Sequence, residues 1–280
     1  MKKVQNFNIE VANGKVGHGM SFSDIGYNVS KFNAGEINVQ LEDHHYTNSF
    51  ITISITGNIT SSDDIMELLL LNDAIERKYV YERKILNMFY APYSRQDRVC
   101  NDGEALSIKV FANLINSCNF DTVYTKNNHS DVSTALINNC IDLELHNIVP
   151  KNLVLDYDFF ISPDAGANKK TFKLSQKYNI PMIQADKTRD TKTGDITGTI
   201  VHSDWQSIGT SRVLIVDDIC DGGRTFLELA KALKELEVEH VDLYITHGIF
   251  ANGLEAMKEA GIEKFFTSNN LFGCDGVKIV

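Results

Sequence analysis

The segment VLIVDDICDGGRTF, residues 213–226, combines a buried strand with an unusual turn. Its first four apolar residues predict a strand, the two adjacent glycines predict a turn, and a helix is expected to begin near Thr225. A glycine-rich turn that leads from a strand into a helix directs backbone amides at an anion, typically a phosphate. Three carboxylates, Asp217, Asp218 and Asp221, nevertheless place negative charge beside this turn. The ligand must therefore need hydrogen-bond acceptors or cations as well as amide donors.

A sugar phosphate meets both requirements. The phosphate would contact Gly222, Gly223 and the hydroxyl of Thr225, and Arg224 would add a cation. The aspartates would accept hydrogen bonds from ribose hydroxyls and could hold hydrated Mg²⁺. The alternative is that the aspartates only cap the following helix, which is the better interpretation of an isolated Asp-Asp or Gly-Gly pair. The complete order of strand, acids, glycines, threonine and helix favours a ribose-phosphate site.

The overall composition excludes several classes of protein. The chain has 280 residues, 43% of them hydrophobic and 23% charged, which is typical of a globular protein with one large or two smaller domains. No apolar stretch approaches the about 20 residues of a membrane span, and no apolar segment follows the N-terminal lysines as in a signal peptide. Five scattered cysteines without a C-x-x-C pair favour a reducing, cytoplasmic location over a disulfide framework or a zinc site. The net charge of -10 disfavours nucleic acid and membranes as partners.

Strand and helix patterns alternate along the whole chain. In the first half, strand composition at 50–59 and 85–93 alternates with helical periodicity at 63–77 and from about residue 104. In the second half, short apolar runs separated by helical stretches cover residues 156–162, 180–185, 212–218 and 240–246. This alternation predicts an α/β fold in which mainly parallel sheets are flanked by helices.

The glycine-turn segment resembles the phosphoribosyl diphosphate signature of type I phosphoribosyltransferases, and other segments extend the resemblance over nearly the whole chain. These segments are KFNAGEINVQL (31–41), YAPYSRQDRVCNDGEALSIKVFANLI (90–115), ISPDAGANKKT (161–171), DKTRD (186–190) and THGIFANG (246–253). They occur in the order found in ribose-phosphate diphosphokinases, also called phosphoribosyl pyrophosphate synthetases. The resemblance implies two similar type I phosphoribosyltransferase-like domains. A polar stretch around 140–155 puts their boundary between an ATP-binding domain at 1–145 and a ribose-phosphate-binding domain at 146–280.

The resemblance also implies how the nucleotide is bound. Arg95, Gln96 and Asp97 match the ATP-binding segment of the family. Phe32 and Glu36 match a loop that reaches the adenine of a neighbouring subunit. A cation beside the nucleotide phosphates and an aromatic ring against a flat base suit these roles physically. Because one loop acts across a subunit boundary, the protein is expected to be a homo-oligomer, either a dimer or a hexamer.

The implied reaction is a diphosphoryl transfer with ATP as co-substrate and Mg²⁺ as cofactor. The anomeric 1-hydroxyl of ribose 5-phosphate attacks the β-phosphorus of Mg-ATP, which gives phosphoribosyl pyrophosphate and AMP. His129 and Asp164 match the metal-contacting positions, and Lys187 and Arg189 match the mobile catalytic loop. Two cations on a closing loop can stabilise the charge that shifts among the phosphate oxygens.

Departures from the family pattern leave other functions open. Where the family has Asp-Thr or Asp-Ser followed by a small residue and Gly-Thr, Gly222 removes a hydroxyl donor and opens volume, and Arg224 adds a cation. These changes would suit an acceptor with an extended 5′-phosphate, such as ADP-ribose. Ala34 replaces a commonly acidic residue, and Asn127 replaces an aspartate near the metal. Ala34, Asn127 and the lack of the family's last helix after Val280 would instead suit a non-catalytic regulatory member of the family.

A phosphoribosyltransferase that consumes the activated sugar is a further alternative. The ribose-phosphate segment by itself does not distinguish such an enzyme from the kinase that makes phosphoribosyl diphosphate. A transferase would however need a hood for the nucleobase, and it gives no reason for the R-Q-D-R motif at 95–98. The diphosphokinase is therefore the preferred interpretation.

Overall fold

The computed structural model describes residues 5–13, 21–43, 51–189, 196–203 and 208–280. They belong to two compact units, Met1–Asp142 and Leu143–Val280. Each unit contains one large sheet with parallel central strands, and helices connect those strands. The predicted α/β class is confirmed in both units.

The first unit has a six-stranded sheet in the order β2-β1-β5-β6-β7-β8. Its elements are β1 (Phe7–Asn13), β2 (Ser21–Asp24), β3 (Tyr27–Lys31), β4 (Ile37–Leu41), β5 (Ile51–Gly57), α1 (Ser62–Lys78), β6 (Arg83–Met88), α2 (Ser107–Ser117), β7 (Thr122–Lys126), α3 (Asp131–Leu136) and, at the boundary, β8 (Cys140–Leu143). Strand β1 is antiparallel to β2 and β5, whereas β5, β6 and β7 are parallel. Strands β3 and β4 form a separate hairpin, and β4 contacts α1.

Local sequence signals explain the start of α1 and the limits of its neighbours. Ser61 caps the helix by accepting a hydrogen bond from the Asp64 amide at 3.2 Å, and the Asp64 carboxylate accepts one from the Ser61 amide at 2.8 Å. The strand predicted at 85–93 ends earlier, at Met88. Pro92 has no amide hydrogen, and Tyr93 adopts a φ of 63°, so the chain turns there instead of continuing the sheet. Helix α2 accordingly begins at Ser107 rather than near residue 104.

The second unit has a seven-stranded sheet in the order β11-β10-β9-β12-β13-β14-β15. Its elements are α4 (Leu145–Ile148), α5 (Lys151–Val154), β9 (Phe159–Ser162), α6 (Asn168–Tyr178), β10 (Met182–Arg189), β11 (Ile196–His202), β12 (Arg212–Cys220), α7 (Arg224–Glu235), β13 (His240–Gly248), α8 (Glu255–Glu259), β14 (Ile262–Asn270) and β15 (Val277–Ile279). All neighbouring strands are parallel except β10 and β11.

Strand β12 lies at the centre of this sheet and is covered on both faces. Val213 and Ile215 belong to the apolar cluster that includes Leu229 and Leu233 of α7. The alternate residues, among them Leu214, belong to a second cluster that includes residues of α4, α5 and α6. Burial on both faces explains why β12 is a continuous apolar run rather than an alternating one.

The chain reverses its direction of winding between β9 and β12. These strands are direct neighbours, but the chain continues from β9 to β10 on one side and from β12 to β13 on the other. The connections that leave their carboxyl ends therefore diverge. In α/β sheets the crevice at such a switch point is the usual place for a ligand.

Two further findings concern membrane-spanning helices and the cysteines. Within the described ranges, no helix combines the length and apolar character that a bilayer crossing needs. All five cysteines are free thiols.

Candidate active site

Two adjacent aspartates project from β12 at the switch point. The last pair that β12 makes with β9 joins Ile215 to Ile161, so Asp217 and Asp218 lie beyond the end of β9. Asp218 is buried, and its Oδ2 accepts a hydrogen bond from Lys170 Nζ at 2.8 Å. The lysine comes from α6, which follows β9. Because a buried carboxylate is stable only when paired, Lys170 accounts for the burial of Asp218.

A second ion pair lies beside the first and comes from β10. The last pair between β10 and β9 joins Gln184 to Ser162, so the following residues of β10 extend past the end of β9. There Lys187 Nζ donates to Oδ2 of Asp164, and Oδ1 of Asp164 accepts from the Ala167 amide at 3.1 Å. Burial opposes ionisation of Asp164, but the hydrogen bond and charge of Lys187 and the amides of residues 166 and 167 hold its pKa below the usual value. Asp164 is therefore ionised at neutral pH.

The expected catalytic loop at 186–190 is partly strand. Residues 186–189 continue β10 and pair with β11 in antiparallel register, with Lys187 opposite Thr199. The prediction of a loop was wrong for these four residues because their pairing partner is a second strand that local composition does not reveal. The side chain of Arg189 and the whole of residue 190 lie outside the described part of the structure.

Asp217 is the third carboxylate of the site, and its ionised form is disfavoured there. Its pKa is raised well above the usual value, first by burial and then by the charges of Asp218 and Asp164, and the Asp218 amide and Lys187 only partly oppose this. Three carboxylates thus converge with two lysines at one sheet edge. Such a site favours ligands that donate hydrogen bonds, such as ribose hydroxyls.

The glycine turn joins β12 to α7. Gly223 adopts a φ of 77°, which favours glycine, and α7 begins at Arg224, one residue earlier than expected. The amides of Phe226 and Leu227 bond to the Gly223 carbonyl oxygen at 3.1 and 3.0 Å. A helix start directs its first amides at an anion, and the start of α7 lies directly after the glycine turn. Asp221 and Arg224 are exposed at this turn, and Thr225 is half-buried in the first turn of α7.

The volume expected beside Gly222 is already occupied. A Cβ atom on Gly222 would lie 2.9 Å from Nδ2 of Asn252, which itself donates to the Gly222 carbonyl oxygen at 3.1 Å. The expectation that Gly222 opens volume in the turn was therefore wrong. Sequence reasoning missed Asn252 and Lys170, although both lie within segments that carry the family resemblance.

In the first unit, Phe32 and Glu36 lie at the tip of the β3–β4 hairpin. The Phe32 amide donates to the Glu36 carbonyl oxygen at 2.8 Å, and the Phe32 side chain is 61% exposed. Lys31 at the base of the turn pairs with Asp63 of α1 at 2.9 Å. The turn therefore holds an exposed aromatic ring on an anchored hairpin.

The predicted ATP-binding residues lie in the loop between β6 and α2. Arg95 and Gln96 are exposed, and Asp97 is half-buried. The Gln96 amide donates to the Tyr93 carbonyl oxygen at 2.9 Å, which fixes the turn that precedes them. Because this loop leaves the carboxyl end of the parallel strand β6, it lies at the usual ligand-binding edge of its sheet.

His129 is exposed in the loop that follows β7, and an internal network holds that loop. The Asn128 amide donates to the Asp142 carboxylate at 3.1 and 3.2 Å. The Asn128 side chain donates to Oγ1 of Thr125 at 2.9 Å and to Oγ1 of Thr134 at 3.2 Å. Asn128 therefore has a structural role in the loop that carries His129. Across the part of the chain that the structure describes, no group of three or more His, Cys, Asp or Glu residues could hold a metal ion.

Family models match both halves of the chain. Residues 8–118 match the model of the N-terminal domain of ribose phosphate pyrophosphokinase, and residues 158–275 match that of the phosphoribosyl transferase domain. A ribose-phosphate pyrophosphokinase of Cereibacter sphaeroides is 30% identical over 84% of this chain and 70% of its own length. One of Thermosipho africanus is 28% identical over 87% of this chain and 77% of its own.

A solved structure shows the same fold. The phosphoribosylpyrophosphate synthetase from Mycobacterium smegmatis superimposes with a TM-score of 0.73, at 19% identity, over 92% of this chain and 86% of its own. The fold and the glycine-turn site define an α/β protein of the phosphoribosyltransferase-like class. The matches over both halves go further, and the chain belongs to the ribose-phosphate pyrophosphokinase family.

Proposed function

We propose that this protein transfers the β,γ-diphosphoryl group of Mg-ATP to the 1-hydroxyl of ribose 5-phosphate, which gives phosphoribosyl pyrophosphate and AMP. The observation that carries the proposal is the convergence of a glycine turn, three carboxylates and two lysines at the switch point of the second sheet. The sugar's phosphate binds the amides of the turn, and Asp217 and Asp218 accept hydrogen bonds from the ribose hydroxyls. Relatives that carry the name ribose-phosphate pyrophosphokinase support this acceptor.

Lys187 is the proposed cation of the transfer step. In the structure it pairs with Asp164, and it lies on the part of β10 that extends past β9 toward the acidic edge. When Mg-ATP binds, Lys187 exchanges Asp164 for phosphate oxygens and stabilises the charge that develops as AMP leaves. Arg189, two residues further along β10, is the proposed second cation.

Mg²⁺ would be bound together with the nucleotide and would supply positive charge beside the phosphates. In the second unit, the ionised Asp164 would offer an oxygen to a metal ion. In the first unit, His129 would be the residue that contacts a metal ion. Orientation of both substrates would depend on the protein's own residues.

The proposed nucleotide site belongs to the first unit. Arg95, Gln96 and Asp97 hold the phosphates and ribose, while Phe32 and Glu36 hold the adenine of an ATP bound to a neighbouring subunit. An aromatic side chain that is 61% exposed on an anchored turn supports this role, because the ring would bury its surface against a base. The protein would then be a homo-oligomer, either a dimer or a hexamer, in the cytoplasm. Light scattering after size-exclusion chromatography measures the mass, and a monomer would contradict the shared nucleotide site.

The activity is tested by AMP release. The protein is incubated with Mg-ATP and with ribose 5-phosphate, ADP-ribose or no acceptor, and AMP is measured by chromatography. We expect AMP with ribose 5-phosphate and none without an acceptor. Formation of AMP only with ADP-ribose would replace the proposed acceptor, and no AMP with either would reject the diphosphokinase.

A further inference from the structure

Position 222 is a glycine for a reason other than backbone strain. Its φ lies outside the left-handed region, unlike the φ of 77° at Gly223, so an ordinary residue could adopt this backbone conformation. The obstacle to a side chain is Asn252, whose Nδ2 would lie 2.9 Å and whose Cγ would lie 3.8 Å from a Cβ at position 222. The glycine is therefore matched to the side chain of Asn252.

Asn252 is held firmly beside the turn. Its Nδ2 donates to the Gly222 carbonyl oxygen, and the neighbouring Ala251 amide donates to the Asp221 carbonyl oxygen at 3.0 Å. Phe250 and Gly253 both have positive φ, and the Gly253 amide bonds to the Phe250 carbonyl oxygen at 2.9 Å. This tight turn between β13 and α8 fixes the asparagine against the glycine turn.

A carboxamide nitrogen has two hydrogens, and the bond to the Gly222 carbonyl oxygen uses one. The second points about 120° away in the amide plane, and both Asn252 and Gly222 are exposed. We propose that Asn252 binds the 5′-phosphate of the acceptor and supplies, from the loop after β13, the side-chain donor that Gly222 lacks. This inference rests on the proposed function, because it names a residue that recognises the phosphate at the same site.

The reciprocal fit of the two positions allows a direct test. Asn252→Ala removes the donor, and Gly222→Ser adds a hydroxyl donor that collides with the Asn252 amide. A double variant with both changes has a serine hydroxyl in the space that the asparagine has left. Asn152→Ala is the matched control, because Asn152 is exposed on α5, ahead of β9 in the same unit.

Binding of ribose 5-phosphate and of inorganic phosphate is measured by calorimetry, together with ATP affinity and thermal midpoint. Asn252→Ala should lower the affinity for ribose 5-phosphate about tenfold, as expected for a lost hydrogen bond to a charged group. It should lower the affinity for inorganic phosphate in parallel. ATP affinity should not change. Gly222→Ser should also lower the affinity for ribose 5-phosphate, and the double variant should recover most of that loss. Asn152→Ala should bind the sugar phosphate as tightly as the wild type does.

Two outcomes would overturn the inference. The first is an unchanged affinity for ribose 5-phosphate in Asn252→Ala. The second is a double variant that binds ribose 5-phosphate no better than Asn252→Ala does, because a serine on the opposite loop would not replace an asparagine with a purely structural role. These outcomes are separate from failure of the proposed function. A wild type that binds ribose 5-phosphate and forms no AMP would reject the reaction, and the binding comparison would still decide the role of Asn252.

Discussion

Replacing Lys170 by methionine tests the pair that supports the acidic edge. Lys170 and Asp218 are 2.8 Å apart, which corresponds to about 6 kcal/mol of Coulomb attraction at an effective dielectric constant of about 20. Desolvation of the buried carboxylate and the 25% exposure of the lysine side chain offset most of this. We expect Lys170→Met to cost about 2 kcal/mol of folding free energy, because it removes the lysine that pairs with the buried Asp218 carboxylate beside Asp217.

The assay is thermal unfolding followed by steady-state kinetics. A loss of about 2 kcal/mol lowers the midpoint of a unit of this size by about 6 °C. Displacement of Asp218 should also lower kcat/KM for ribose 5-phosphate by about tenfold or more. The control is Lys234→Met, which removes an exposed lysine of α7 and should change stability by less than about 0.5 kcal/mol. If the Lys170 variant unfolds at the same temperature as this control, the ion pair does not stabilise the site and the reasoning is refuted.

Three further substitutions examine other parts of the site. Asp217→Asn should raise the thermal midpoint at pH 7, because the raised pKa of Asp217 means that its ionisation destabilises the folded state above pH about 4. The difference from the wild type should vanish as the pH falls toward that value, and equal midpoints at pH 7 would contradict the prediction. Lys187→Ala should lower kcat by about 10² or more while ribose 5-phosphate binding persists, and single-turnover AMP formation at the wild-type rate would exclude its transition-state role. Phe32→Ala should raise the KM for ATP roughly tenfold and leave that for ribose 5-phosphate unchanged, and an unchanged KM for ATP would place the adenine elsewhere.

The elements that sequence alone predicts well are those with local causes. Strand β12 is an apolar run, the turn after it contains a glycine with a φ of 77°, and α7 follows with helical periodicity. Helix α1 was predicted at 63–77 and forms over Ser62–Lys78, because its capping box lies within the first turn. Each of these signals depends on residues only a few positions apart.

The contacts that sequence could not predict are distant along the chain. Lys170 and Asp218 are 48 residues apart, and Asn252 and Gly222 are 30 residues apart. The extension of β10 through Arg189 depends on antiparallel pairing with β11, while its own residues read as a polar loop. The chemical type of the site was therefore predictable from motifs, but the partners that set its charge and shape required the fold.

In the proposed reaction a diphosphoryl group moves intact from ATP to the anomeric oxygen of ribose 5-phosphate. The most direct measurement is a ³¹P NMR time course of the protein with Mg-ATP and ribose 5-phosphate. We expect the three ATP signals to be replaced by those of AMP and of a diphosphate coupled to the C1 proton of the sugar, in equal amounts. The appearance of ADP with a sugar monophosphate ester at C1, or of free pyrophosphate without a sugar-linked diphosphate, would contradict it.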